Sequence, residues 1–569
     1  MNVIDGYEAY LRALGPAGFW KLDEAPSAAT FADSSGNGLT ATGSGLYLSG
    51  LDAVVPNSSA KSSVHWAGLG QAAVASSAAL DMSSVSAFSF VTTFSFPRGS
   101  PTSFLYSKCT TTGAGHYLIT YSGIFEIGLV QDGGNFAKWT FPVPTTGIKH
   151  LVISFGGNLA TRPQVWINNV LQTLSGSPTG SPTTFTNSSV FRLGGRSDGL
   201  QWNGFMQNAA FFNRALTSTE ATNLWTKHQI VDRSNAAPFL YLNDGGSTDI
   251  GDFGALAYVI HKHRMGQINL LGCMVDAGDD ITAPATRAVL DYYGLTGIPV
   301  GAYKGSDIHV GGTTGTPARI VRDAFRPGDT RSNAIYNDPV TFYNALLPGQ
   351  ANGSVTTSAG GFLKSVADYL NSSNANKAVW NSKIKLFEIT AGQFPNSSTG
   401  ATPPGNFPAS GPGDWNIGGS ETGGPNGPVE ALAAVNIISL STVPHVWGGD
   451  EICGNVNGAA SLIESGLPTD WTNSNPLHLG FPTVRTAWDV LGTALAYQTA
   501  KYGVSNQLFS QVAINAPVID TAQATAGQNT STAGSSNNVY TTPKTGAFSI
   551  TQWRALMASI FDAQVPAVS

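Results

Sequence analysis

The sequence predicts two domains of different class: an antiparallel β-sandwich, then an α/β domain with a mainly parallel sheet. Three observations lead there. Apolar residues alternate with period two through residues 1–228, strand-like and helix-like runs alternate after 238, and the polar stretch "HQIVDRSNAAP" lies between. The boundaries read from these patterns are 1–228 for the sandwich, 229–238 for a hinge and 239–569 for the α/β domain. At 569 residues the chain has room for two sizeable cores.

Composition narrows the class further. Only 11% of residues are charged, with 66 Gly and 31 Pro, a balance that suits loop-rich β proteins outside the cytoplasm or in large assemblies. Disorder is excluded, because 42% of residues are hydrophobic and 10% aromatic. Net charge is −6, and residues 1–232 carry twelve basic and twelve acidic side chains, so the acidic excess lies wholly in the second part. Neither part has the basic stripe that phosphate backbones require, so nucleic acid is not an expected partner. No apolar run approaches the ~20 residues of a membrane span, and membrane insertion is not expected either. Cys109, Cys273 and Cys453 are far apart and read as buried free thiols. The start, "MNVIDGYEAYLRALGP", is mixed and amphipathic, without the order of a signal peptide.

In the first domain "AFSFVTTFSF" places Phe88, Phe90, Phe94 and Phe96 on one strand face. "HYLITY", "IFEIGLV", "KHLVISF" and "QVWINNVL" follow as strands, divided by turn signals such as "DGGN" and "FGGN". Many short strands without intervening helices point to a sandwich. "GPAGFWKLDE" (15–24) with "FADSSGNG" (31–38), and "GFMQNAAFFNRALTSTEATNLW" (204–225), resemble the two ends of laminin-G-like, concanavalin-type jelly rolls. In the closing segment Thr217 or Ser218 caps a helix, with Glu220 or a neighbour returning the bond. The resemblance implies glycan or surface binding, for which Trp66, Trp139 and Trp202 are the stacking candidates if exposed. The other reading makes them core and the sandwich a spacer. Asp33 reads as a turn residue.

The second domain opens with "PFLYL" as a strand, then the acidic loop "NDGGSTDIGDFGALA" (243–257) and a helix. "INLLGCMV" is a continuous apolar run, the mark of a strand buried on both faces, followed by a helix and the strand "IPVGAY". Later strands are expected at 383–391 and 443–448, and a helix at 486–503. Ligands of such sheets bind beyond the carboxyl ends of the strands, which is where the acidic loop falls. Asp249 suffices as a helix cap, whereas Asp244 and Asp252 call for solvent or a cation.

Four segments in order resemble the inosine–uridine nucleoside hydrolases: "DIGDFGALA", "INLLGCMV…TRAVLDYYGLTGIPVGAYKG", "GDWNIGG" (413–419) and "RTAWDVLGTALA" (485–496). The resemblance implies a calcium ion that orients and acidifies an attacking water, with Asp244, Asp252 and Asp489 as its ligands. It makes Asp252 and Trp488 the catalytic candidates and Asp414 and Asn416 the sugar-binding pair. The chain departs from the pattern where Gly251 replaces one aspartate and Lys364 stands at the mid-chain threonine position. A lysine there opposes a divalent cation, so a remodelled site is expected. His445, His478, His261 and His263 are alternative acids, each read first as a packing residue.

Residues 519–547 form a polar low-complexity segment read as a loop or linker. Then "SITQWRALMASIFDAQ" (549–564) has Trp553, Leu556, Met557, Ile560 and Phe561 at helical spacing, packing on its own domain or on another subunit of a homo-oligomer. The leaderless start, low charge and "GPAGFW" sandwich resemble bacteriophage tail or virion surface proteins. The expectation is therefore a virion component that contacts other virion proteins and a host-surface glycan. Its rival is a calcium-dependent N-ribosyl hydrolase with the sandwich as targeting module.

Overall fold

The computed structural model describes residues 6–55, 62–80, 87–95, 102–109, 115–131, 135–142, 148–179, 189–229, 236–245, 251–308, 317–392, 415–417, 426–449, 488–503, 508–519, 521–522, 529–530 and 537–543. The chain divides into two compact units, one made mainly of residues 1–234, the other of residues 235–263 and 268–546.

The first unit opens with α1 (Tyr7–Ala13) and closes with α2 (Ser218–Gln229). Between them lie β1 (Gly18–Trp20), β2 (Thr30–Phe31), β3 (Ala41–Asp52), β4 (Ser62–Val74) and β5 (Phe88–Ser95). Next come β6 (Ser103–Cys109), β7 (Gly115–Tyr121), β8 (Ile124–Val130), β9 (Phe136–Pro142) and β10 (Ile148–Phe155). The last are β11 (Gln164–Ile167), β12 (Val170–Leu171), β13 (Pro178–Thr179), β14 (Phe191–Leu193) and β15 (Asn203–Phe212). All fifteen join one antiparallel sheet, with the main path β12-β11-β10-β5-β15-β4-β14-β6-β7-β8-β9-β13. The arrangement is consistent with a β-sandwich. Its inward residues form one aromatic-rich core that includes Phe88, Phe90 and Phe94, the period-two set of β5. Phe96 lies outside the described residues. In β9 the alternation is plain: Ala137, Trp139 and Phe141 are buried, while Phe136, Lys138 and Thr140 are half-buried on the other face. The cap of α2 is reciprocal, the Glu220 amide donating to Thr217 Oγ1 (3.2 Å) and the Thr217 amide to Glu220 Oε2 (2.8 Å). Asp33 is a turn residue, accepting from the amides of Phe19, Ser35 and Leu39 and from the Ser35 hydroxyl.

The second unit is a mixed sheet with helices. Its strands are β16 (Ala237–Asn243), β17 (Ile268–Val275), β18 (Val300–Ala302), β19 (Val355–Ala359) and β20 (Ile384–Ile389). They continue with β21 (His445–Trp447), β22 (Phe509–Ile514), the short pair β23 (Val518–Ile519) and β24 (Asn529–Thr530), and β25 (Asn538–Pro543). The eight-stranded order is β18-β17-β16-β19-β20-β21-β25-β22, every pair being parallel except β22–β25. The helices used below are α3 (Gly251–Arg264), α4 (Thr282–Tyr292), α5 (Pro317–Phe325), α6 (Pro339–Leu346), α7 (Lys364–Ser372), α8 (Asn374–Lys383), α9 (Asn426–Leu440) and α10 (Trp488–Tyr502).

Two features depart from the sequence reading. Strand β19, "VTTSA", lies between β16 and β20 although its polar Thr and Ser residues give no apolar run. Strand β25 lies inside the segment 519–547 read as a loop, and there Asn538, Tyr540 and Thr541 are buried between β21 and β22. Thr and Tyr suit a pleated surface, and that local preference outweighs the polar composition around them. The proposed helix 549–564 lies outside the described residues.

Matched register sorts the side chains of the sheet. Tyr241, Ser358 and Glu388 are partners across β16, β19 and β20, so they share one face. Leu240, Leu242, Ala359, Phe387 and Ile389 occupy the other and join an apolar core with Val366 and Leu370 of α7 and Ala434 and Ile437 of α9.

Candidate functional site

Chain order runs from β16 outward to β17 and β18, then returns to begin again at β19. The reversal falls between β16 and β19, and the carboxyl ends of strands at such a point are the usual ligand position of open parallel sheets. Backbone bonds carry the strand ends into one rim. The Asp276 amide donates to the Asn243 carbonyl (2.8 Å), Gly360 to Leu242 (3.0 Å) and Thr390 to Ala359 (2.9 Å). Gly361 must be small there, because a Cβ on it would lie 2.5 Å from the Asp244 amide nitrogen.

Two of the three expected metal ligands belong to this region. Asp244 follows β16 directly and is buried, as is Asp252 in the first turn of α3. Tyr241 donates to the Asp252 backbone carbonyl (2.8 Å) and lies 3.3 Å from its Oδ1. An acidic residue at this helix end also suits the helix dipole. Asp249 and Asp414 lie outside the described residues. Trp488 and Asp489 are described as the start of α10, but their side chains are not. Among the described residues no group of three or more His, Cys, Asp or Glu side chains is placed to hold a metal. Calcium takes six to eight oxygen ligands. Asp244 and Asp252 would supply two of them.

Asn416, expected to hold a sugar, is placed at the rim. Its Nδ2 donates to the carbonyls of Gly360 (3.1 Å) and Thr390 (2.8 Å), tying its short helical turn to the ends of β19 and β20. At the end of β16 Asn243 is buried; its Oδ1 accepts from the Thr286 hydroxyl (3.4 Å), and its Nδ2 has no hydrogen-bond partner. The Lys364 ammonium is bound by Asp368 (2.6 Å) and lies over the Tyr303 ring (5.2 Å to the centroid), so most of its charge is answered locally. His445 is an interior residue, its Nδ1 and Nε2 each 3.1 Å from Asn538 Oδ1 and Ser441 Oγ. Burial lowers its pKa to about 4. His261 and His263 are buried in α3, and the Leu270 amide donates to His263 Nδ1 (3.1 Å). His478 lies outside the described residues.

Two buried acids were not singled out in the sequence. Asp276, at the end of β17, accepts from the Ser365 amide (2.9 and 3.0 Å) and hydroxyl (2.6 Å), and so anchors the start of α7. Burial pushes its pKa up to about 7 against those bonds. Glu388 accepts from the hydroxyls of Ser358 (2.7 Å) and Thr390 (2.9 Å), and burial pushes it up to about 8. Helix α10 sits closely over this group, since a Cβ on Gly492 would lie 1.9 Å from Thr390 Oγ1. Both acids had a legible signal: each is a lone acid inside or just after an apolar strand run, "LLGCMVD" and "KLFEI".

The glycan-stacking candidates require correction. Trp66, Trp139 and Trp202 are fully buried in the sandwich core. Trp66 packs against Phe31 and Tyr47, Trp139 against Phe155, and Trp202 against Phe94 and Phe125. Their rings lie on the inward side, where no sugar reaches them.

No family model matches the chain, and no curated protein matches it. Among solved structures it is similar to the binding domain of Paraclostridial Mosquitocidal Protein 1, at 11% identity and TM-score 0.29 over 40% of this chain and 54% of that one. It is similar also to the botulinum neurotoxin serotype G binding domain, at 12% identity and TM-score 0.30 over 39% and 52%. A third is the binding domain of botulinum neurotoxin DC in complex with SialylT, at 12% and 0.28 over 38% and 54%. The chain spans about half the length of these solved chains. At such scores the likeness carries no weight for function.

Proposed function

We propose that the chain is an attachment component displayed on a virus particle, with a glycan-binding sandwich and a second unit that holds a sugar-like ligand at a remodelled nucleoside-hydrolase-like site. The observation that carries the second part is the rim at the β16–β19 reversal. There Asn243, whose Oδ1 accepts from Thr286 and whose Nδ2 has no partner, and Asp244 end β16, Asn416 is tied to the ends of β19 and β20, and Gly361 admits close backbone approach. Such a rim suits a hydroxyl-rich ligand, because the Asp244 carboxylate can accept from sugar hydroxyls and Asn243 Nδ2 can donate to them without a metal, while Asn416 positions the rim. Hydrolysis asks for more: a water activated beside a basic carboxylate. Gly251 supplies no carboxylate at its position, which supports binding without turnover. Virion display, contact with other virion proteins and a homo-oligomeric state rest on the sequence resemblance and the low charge.

One observation favours the rival reading, a calcium-dependent N-ribosyl hydrolase: Asp244 and Asp252 are both buried in this region. Equilibrium binding tests the proposal. Ribose and inosine should bind the full chain, and Asn416→Ala should weaken that binding per folded molecule by more than its cost in melting temperature, which follows from the lost bonds to Gly360 and Thr390. Absence of binding, or binding indifferent to Asn416→Ala, counts against the rim.

A further inference from the structure

The burial of Trp66, Trp139 and Trp202 leaves the sandwich without the sugar platform expected of it, and a different group stands in its place. Residues Tyr117, Ile119 and Tyr121 of β7 face the same way as Ile124, Glu126 and Gly128 of β8 and Lys138 and Thr140 of β9, by cross-strand register. That face is opposite to Leu118, Phe125, Ile127, Ala137 and Trp139, which line the core. Ile119, Tyr121, Ile124, Lys138 and Thr140 on it are half-buried, whereas Tyr117 and Glu126 are buried, so the face meets solvent around its centre.

Glu126 sits at its centre. Tyr117 donates to its Oε1 (3.0 Å), Tyr121 to its Oε2 (2.8 Å), and the Lys138 ammonium lies 3.4 Å from Oε1. Burial, together with the neighbouring Glu126 carboxylate, raises the pKa of both phenols, that of Tyr121 to about 12, so they remain donors. The Tyr117 ring lies flat on Gly128, where a Cβ would come within 2.1 Å of it. A mid-strand glycine weakens a strand, and here it seats the ring that fixes the carboxylate. Phe104 meets Tyr117 edge-on at 5.5 Å, and the Arg196 guanidinium covers Phe104 at 4.5 Å. The row crosses from β6 to β9, about 14 Å at ordinary strand spacing.

We propose that this outer face of β7, β8 and β9 is a binding site for a neutral saccharide, contacted by Tyr121, Glu126 and Lys138 and positioned by Tyr117. The inference rests on the attachment reading and names the site through which the first unit acts. A carboxylate offers about four lone-pair positions. The two phenols and the ammonium occupy three, so the carboxylate keeps acceptor capacity for a sugar hydroxyl. The half-buried ring of Tyr121 supplies the apolar surface on which the C–H face of a pyranose packs. Charge decides the ligand class: Glu126 is matched by Lys138 and Arg196 by Asp198, so the face carries no excess cation for a sialylated or sulfated glycan.

The test uses the full chain on an immobilised panel of galactose-, mannose- and N-acetylglucosamine-terminated oligosaccharides, with sialylated and sulfated counterparts. At least one neutral glycan should bind, and Tyr121→Ala and Glu126→Gln should each weaken it about tenfold or more. Their melting temperatures should stay close to that of the parent. Should Tyr121→Ala fail to fold, Tyr121→Phe keeps the ring and loses only the hydroxyl bond, and should weaken binding about fivefold. Binding confined to charged glycans, no glycan binding, or binding indifferent to these variants overturns the site. Glycan binding that ignores the variants removes this face and leaves the attachment reading standing. Loss of all glycan and host-cell binding removes both.

Discussion

Replacing Glu388 by Gln should make the second unit less sensitive to alkaline pH. Glu388 is fully buried on β20, and its two oxygens accept from the Ser358 and Thr390 hydroxyls rather than from a cation. Burial raises its pKa from 4.5 to about 8. In the unfolded chain the carboxyl ionises near 4.5, whereas in the folded chain it keeps its proton to about 8. The stabilisation is therefore complete below pH 4.5 and is lost progressively as pH rises through the folded value. At about 1.4 kcal/mol per pH unit, the loss comes to roughly 5 kcal/mol. Gln has the same shape, and the neighbouring hydroxyls can donate or accept, so its amide is accommodated. Calorimetry of full-length parent and variant at about pH 5 and pH 9 measures the effect, the slope between them being set by the titration. The parent should lose about 3–5 kcal/mol more than the variant over that interval. Asp276, pushed up to about 7, leaves a smaller decline in both. Parallel curves for the two proteins would refute the assignment of a neutral Glu388.

The first unit should respond in the opposite sense, because burial lowers the pKa of His65 and His228 to about 3 and, with the charge of His228, also lowers that of His150. Its stability is complete above 6.5 and lost as pH falls toward 3, so its calorimetric transition should drop on acidification, and His228→Gln should remove part of the drop. Gly492→Ala should destabilise the second unit by about 1–3 kcal/mol, since the new methyl meets Thr390 Oγ1, and denaturant unfolding checks it. Trp139→Ala should cost the first unit about 3–5 kcal/mol while leaving glycan affinity per folded molecule unchanged. Reduced affinity at equal folding would return that residue to the binding surface.

Much of the architecture was legible because local and tertiary preferences agree. "INLLGCMV" is a continuous apolar run and forms β17, buried between β16 and β18. "KIKLFEITA" and "VPHVWG" contain β20 and β21. Strand β19 escaped notice since Thr356, Thr357 and Ser358 carry no hydrophobic signature, although their neighbours bury them. The site was half legible. Composition showed which residues are acidic and aromatic, but not which way a strand turns them. A one-residue change of face separates Trp139, in the core, from Lys138, beside Glu126. Likewise the charge of Lys364 could be expected to repel a cation, yet its partner Asp368 is visible only once α7 is formed.

The most direct measurement of the central claim is ribose release from inosine, uridine, adenosine and cytidine by the full-length protein with millimolar calcium, run beside Asp252→Ala. Binding without hydrolysis predicts that ribose and inosine are retained by the rim, that release stays at the level of the buffer, and that Asp252→Ala changes nothing in the rate. Sustained turnover that Asp252→Ala abolishes would contradict it and restore a working hydrolase built on Asp244 and Asp252.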